Sequence, residues 1–186
     1  MQVFLTTCIN APPIRKAMFN LCETFWNQQA DVELETILGH GRMFQRQRRI
    51  LSELRSTGKF YIVTNDDCLP TSFQIKRLLQ VTEKYPEFGI LSFYPMNATI
   101  NSWTPDPTEA IGGFAYEDSD VMEHVSVGGV RLVRSRIHAD WPEMNEHNGY
   151  DFIQCSYLRS KGFRCGYLKN FVMNHIGELH SNVWPI

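Results

Sequence analysis

Short apolar runs alternate with helix-patterned stretches through the first third of this chain, and few folds accommodate that order. Val3 to Cys8 is rich in apolar and β-branched residues and reads as a strand. Pro12 and Pro13 then open a helix where a missing N–H is harmless. From Ile14 to Gln28, the residues Ile14, Met18, Leu21, Cys22, Phe25 and Trp26 fall at the spacing of one buried helix face. Val32 to Leu38 alternates apolar and polar residues, as a strand does, and Gly39-His40-Gly41 breaks it. Arg42 to Ser56 reads as a second helix with Ile50, Leu51 and Leu54 inward, and Gly58 ends it. Phe60 to Val63 is a third strand. The resulting β-α-β-α-β order implies parallel strands with helices packed on the sheet faces.

The remainder continues with mixed elements. Thr71 to Lys84 is a helix with a Thr-Ser start, and Phe88 to Tyr94 a strand. Pro95 to Pro107 has no period and reads as a long loop, a kind of segment that often carries function. Val125 to Val133 is apolar with a break at Gly128-Gly129. Asn148 to Lys161 is helical, and Phe163 to Leu168 and Phe171 to Met173 are two short strands. No repeat or linker divides the 186 residues, so one α/β domain over residues 1–186 is expected. Its formal net charge of −2 argues against a non-specific nucleic-acid binder, which would be distinctly basic. No apolar run approaches membrane-spanning length, and the first residues lack the charged and apolar regions of a secretory signal. The five cysteines, Cys8, Cys22, Cys68, Cys155 and Cys165, form no C-x-x-C. That pattern fits thiols in a reducing cytoplasm, with Cys8 and Cys68 as small buried residues near strand ends.

Thr64-Asn65-Asp66-Asp67 follows the third strand directly. Two adjacent carboxylates raise each other's pKa, and burying both is costly unless a cation compensates. A divalent metal carrying a phosphorylated ligand is a natural occupant, because ligands in such sheets bind beyond the carboxyl ends of the strands. Cys8, His40 and Asp66 all fall at those ends. Asn-Asp-Asp is also the composition of an ordinary solvated turn, which leaves both readings open.

The order of these features resembles the nucleotide-sugar glycosyltransferases of the GT-A fold, with the family 2 enzymes as the nearest pattern. Arg48 to Pro70 (RRILSELRSTGKFYIVTNDDCLP) is similar to that family's helix, strand and acidic DXD turn. Gly128 to Arg136 (GGVRLVRSR) is similar to its glycine-initiated strand, and Asn148 to Gly166 (NGYDFIQCSYLRSKGFRCG) to its catalytic helix. Asn174-His175-Ile176-Gly177 resembles its late metal-site histidine. The chain departs from the pattern in three places. Asn65 stands where the first acid of the turn is usual, Tyr150-Asp151 replaces an acidic pair, and Gly39-His40-Gly41 replaces an acid after the second strand.

The resemblance implies a GT-A, Rossmann-like, mostly parallel sheet flanked by helices, with a donor-binding part over about residues 1–95 and an acceptor part over about 96–186. It implies Mn²⁺ or Mg²⁺ held by Asp67 and His175, the imidazole favouring Mn²⁺. Thr6, Thr7, Cys8, Arg48, Asn65, Asp66 and Gly129 would bind the nucleotide-sugar, a UDP-sugar, and Asp151 would take the proton from an acceptor hydroxyl on a glycan or glycoprotein. Compact enzymes of this type occur in large DNA viruses and phages, which would place the protein in a host cytoplasm. Other readings stay open beside this one. Asp151 at a helix start is also a capping acid, and His175 an ordinary strand-end histidine. Trp103 and Trp141 are core residues or stack on a sugar. His180 is a further phosphate contact in the same reading, and Glu143 and Glu146 compete with Asp151 as base. A retaining transferase and a non-catalytic nucleotide- or carbohydrate-binding module remain as alternative functions.

Overall fold

The computed structural model describes residues 1–8, 13–39, 60–95, 120–134 and 150–175. Strand β1 (Gln2–Cys8) leads into helix α1 (Pro13–Asn27) and strand β2 (Glu33–Gly39), and β1 pairs in parallel with both β2 and strand β3 (Phe60–Asn65). This is the parallel unit that the alternation predicts. A two-residue turn, Asp66-Asp67, joins β3 to the short strand β4 (Cys68–Leu69). Helix α2 (Ser72–Lys84) follows, with Thr71 as its N-cap: the Thr71 hydroxyl accepts from the Gln74 N–H while the Gln74 side chain accepts from the Thr71 N–H. Strands β5 (Phe88–Pro95), β6 (Val121–Glu123) and β7 (Arg131–Arg134), helix α3 (Tyr150–Ser160) and strand β8 (Arg164–His175) complete the described elements.

The strands form one mixed sheet in the order β2-β1-β3-β7-β5-β8-β4, with β6 also on β8. Strand β7 lies antiparallel between β3 and β5, while β5 and β8 are parallel. Side chains alternate between the two faces, so the central strands feed two cores. Val3, Ile62, Leu91 and Leu132 face one way and pack with Trp26 of α1 and Ile75, Leu78 and Val81 of α2. Phe4, Tyr61, Val63, Ile90 and Val133 face the other way and pack with Cys155 and Leu158 of α3. No helix of the described residues is long and apolar enough to cross a membrane.

Two expectations need correction. The buried stripe of α1 is Arg15, Met18, Cys22 and Trp26, whereas Ile14 and Leu21 are 42% and 52% exposed. The helix is turned so that Arg15, not Ile14, points inward. The two short strands expected after Phe163 are one strand, β8. Phe93 faces Leu168 but Tyr94 already faces Val172, so β8 bulges between them without ending. Beyond the bulge, Asn174 and His175 pair with Leu69 and Cys68 of β4. Only Asp66 and Asp67 separate β4 from β3, so the tail of β8 that pairs with β4 lies near the carboxyl end of β3.

Candidate functional site

The carboxyl ends of β1 and β3 lie side by side, with Thr6 opposite Asn65. There the acidic turn is folded inward. Asp66 is 1% and Asp67 5% exposed, and Arg15, in the first turn of α1, is 4% exposed between them. Arg15 Nη2 lies 2.8 Å from Asp66 Oδ1, and Nη1 donates to Asp67 Oδ2. The Thr7 hydroxyl donates to Asp66 Oδ2 at 2.6 Å, and the Cys68 thiol to Asp67 Oδ1 at 3.4 Å. All four carboxylate oxygens thus have a protein partner. The Thr6 hydroxyl donates to the Thr64 carbonyl at 3.1 Å and ties the two strand ends together.

The electrostatics follow from that enclosure. Burial pushes the Asp66 carboxyl up to about 6, against the pull of Arg15 and the Thr7 hydroxyl toward the charged form. Arg15 is held above its ordinary value: burial disfavours its charge, and the two carboxylates more than offset this. Burial, reinforced by Asp67 and Asp66, pushes the Cys22 thiol up to about 12 and the Cys68 thiol well above its ordinary value. Neither sulfur is a thiolate near neutral pH, as the expectation of a buried, unreactive Cys68 requires.

A second cluster reaches the same end of the sheet from the opposite face. Strand β7 is antiparallel to β3, and its first residue, Arg131, lies opposite Val63. The buried Arg131 guanidinium donates to Asp151 Oδ1 and to Gln154 Oε1, both at 2.9 Å, and so anchors the first turn of α3. Burial raises the Asp151 carboxyl above the usual range, with Arg131 opposing. Just before β7, the Gly128 peptide is clamped at both ends: its N–H donates to the Tyr167 hydroxyl at 2.9 Å, and its carbonyl accepts from the Ser92 hydroxyl at 2.7 Å. Gly129 has a φ of 76°, a left-handed backbone that favours glycine.

The structure therefore brings Thr7, Asp66 and Asp67 into contact, sets Thr6 beside Asn65, and puts the backbone of His175 opposite Cys68. Gly129 and Asp151 belong to the second cluster at the same sheet end. The side chains of Cys8 and His175, and Arg48, Trp103, Trp141, Glu143, Glu146 and His180 entirely, lie outside the described residues. Among the described residues, no three metal-ligating side chains converge. Among the described residues, a guanidinium bridges the two carboxylates, so Asp66 and Asp67 as folded do not fit a divalent cation. Two charged residues escape a reading of the sequence alone, Arg15 and Arg131. For Arg15 a signal exists: it heads the series Arg15, Met18, Cys22, Trp26 at helical spacing, and a carboxylate pair in need of a cation lies downstream.

No protein-family model matches the chain, and no curated protein matches it either. Among solved structures, A197 from STIV superposes with a TM-score of 0.54 at 11% identity, over 94% of this chain and 84% of A197. A Bacillus anthracis protein described as a glucose-1-phosphate thymidylyltransferase, solved with sucrose, aligns at 11% identity over 90% of this chain and 87% of its own, with a TM-score of 0.49. That second likeness is too loose to bear on the fold. What this chain shares with A197 is the fold alone: a mixed, Rossmann-like α/β sheet flanked by helices.

Proposed function

We propose that this chain transfers a sugar from a nucleotide-sugar donor, a UDP-sugar, to an acceptor hydroxyl. One observation carries the reading. The acidic turn, the threonine end of β1, the glycine turn before β7 and the first turn of α3 all gather at the carboxyl end of one sheet, where α/β folds hold their ligands. Thr6, Thr7, Cys8, Asn65, Asp66 and Gly129 line the donor side in this reading, and Arg48 reaches a phosphate. Asp151 is the base. The acceptor O–H gives its proton to the Asp151 carboxylate, the oxygen forms a new bond to the sugar's anomeric carbon, and the bond from that carbon to the nucleoside diphosphate breaks. A carboxyl raised by burial suits that task, because a base works best with a pKa nearer the operating pH. Arg131 holds it in one orientation. No step is assigned to a divalent cation, since Arg15 stands between the carboxylates that would hold one.

The Arg131–Asp151 contact favours one alternative. A carboxylate engaged by a buried guanidinium also suits a retaining transferase, in which Asp151 orients the sugar and takes no proton. The test offers a panel of nucleotide-sugars and glycan acceptors to the parent and to Asp151→Asn. The amide keeps the acceptor atom that Arg131 uses but cannot accept a proton. Transfer should fall by about 10²–10⁴-fold with nucleotide affinity retained. Transfer at the parental rate removes the base role. A parent that neither binds nor hydrolyses any nucleotide-sugar overturns the reading.

A further inference from the structure

We infer that Arg15 is the resident cation of the acidic turn, and that Asp66 and Asp67 take up a divalent metal only when Arg15 is removed. The argument starts from charge. Two adjacent carboxylates, 1% and 5% exposed, cannot stay both buried and charged without a compensating positive charge. Strand-end carboxylates of this kind are natural metal ligands, yet here each gives one oxygen to a different terminal nitrogen of one guanidinium. Thr7 and Cys68 take the other two oxygens. The arginine is no surface residue swung in by chance. It sits in the first turn of α1, on the same buried stripe as Met18, Cys22 and Trp26, so packing of the helix fixes where its side chain enters. Its planar fork of donors matches two carboxylates at once, a geometry that a lysine ammonium cannot reproduce.

A divalent ion added to this arrangement would meet the guanidinium at contact range. Like charges at that separation repel strongly in a site shielded from water. Metal and Arg15 are therefore alternatives for one place, and the helix holds Arg15 in it. The acidic turn then acts as a fixed brace that joins α1 to the ends of β1 and β3, beside Thr6 and Asn65.

The inference concerns the metal alone and stands whether or not the chain transfers sugar, so its test uses Mn²⁺ without nucleotide. Mn²⁺ is titrated into the full chain at neutral pH, and the electron paramagnetic resonance signal of the free ion is followed. The parent should bind no stoichiometric Mn²⁺. Arg15→Met should bind one equivalent at least about tenfold more tightly than any parental uptake, because a repelling unit charge is gone. Adding Asp67→Asn to Arg15→Met should abolish that uptake. Arg15→Lys, which keeps a positive charge, should behave as the parent does. Should Arg15→Met fold only in the presence of Mn²⁺, that rescue is the expected result in another form. Should it fold under neither condition, Arg15→Gln, which removes the charge but can still donate to one carboxylate, replaces it in the titration and should bind more Mn²⁺ than the parent. One equivalent bound by the parent and lost in Asp67→Asn overturns the inference. So does a folded Arg15→Met chain, or its Arg15→Gln replacement, that binds no more Mn²⁺ than the parent.

Discussion

At the scale of single residues, the acidic turn concentrates the electrostatic cost of this fold. Asp66 faces Arg15 from α1, Thr7 from β1, and its neighbours Asp67 and Cys68, with Cys22 behind them. Its carboxyl is raised from 3.8 to about 6, chiefly by burial. A raised carboxyl means that the folded chain holds this proton more tightly than the unfolded chain does. The contribution to stability is thus fully present below about pH 4 and is lost as pH rises through about 6, for a total on the order of 3 kcal/mol. Asp151 acts with the same sign, so the useful quantity is the difference between parent and variant. Urea unfolding from pH 4 to 7.5 should show a flatter profile for Asp66→Asn than for the parent, because the amide does not charge; its oxygen can still accept from Arg15, and its NH2 can donate to the Thr7 hydroxyl. Parallel profiles would mean that Arg15 fully compensates the buried charge. The sequence leaves two readings of Asp66-Asp67 open, a solvated turn or a buried pair that needs a cation, and burial of both in the fold decides for the second. The cation's identity is not legible in the sequence, because the arginine that supplies it lies some fifty residues upstream.

Secondary-structure elements were legible where a period or a cap marked them. Strands β1, β2, β3 and β5 and helix α2 fall within a residue or two of where their patterns put them, and the Thr71 start of α2 is a full capping box. The orientation of α1 was not legible. Ile14 and Leu21 suit the same helical spacing as Met18 and Trp26, and only the position of the acidic turn selects the face that carries Arg15. Strand β8 misled for a different reason: polar residues within it mark a bulge that sequence alone reads as a break. A glycine in β8 gives the test at this scale. A Cβ at Gly166 would lie 2.5 Å from the Met122 carbonyl oxygen on β6 and 2.9 Å from Phe88 and Val121 side-chain atoms. The backbone oxygen belongs to a paired strand and cannot simply rotate away. Gly166→Ala should therefore cost about 1–3 kcal/mol, the range for overpacking a filled core. A melt within error of the parent would show that β6 is free to shift.

At the scale of the whole molecule, the sheet of the described residues carries two separate cores. Leu78 of α2 belongs to one and Leu158 of α3 to the other, and both are fully buried. Leu78→Ala and Leu158→Ala should each cost about 2–5 kcal/mol, and the double variant should lose their sum to within about 0.5 kcal/mol, since no partner is shared across the sheet. A clear departure from additivity in urea unfolding would mean that the two cores form cooperatively. The sequence by itself determined the class of this protein: an α/β chain that starts with β1, α1, β2 and β3, and an acidic turn at a strand end; the second helix expected at Arg42 to Ser56 lies outside the described residues. Those features are local, written in periods of two and 3.6 residues and in turn chemistry, so a linear reading recovers them. Tertiary structure decided the rest. The antiparallel insertion of β7 brings Arg131 and Asp151 to the site, the bulged tail of β8 brings the backbone of His175 to β4, and the rotation of α1 puts Arg15 between Asp66 and Asp67. Each depends on contacts between segments distant in the chain. What fixes them is a balance of burial against charge that exists only once the sheet has formed.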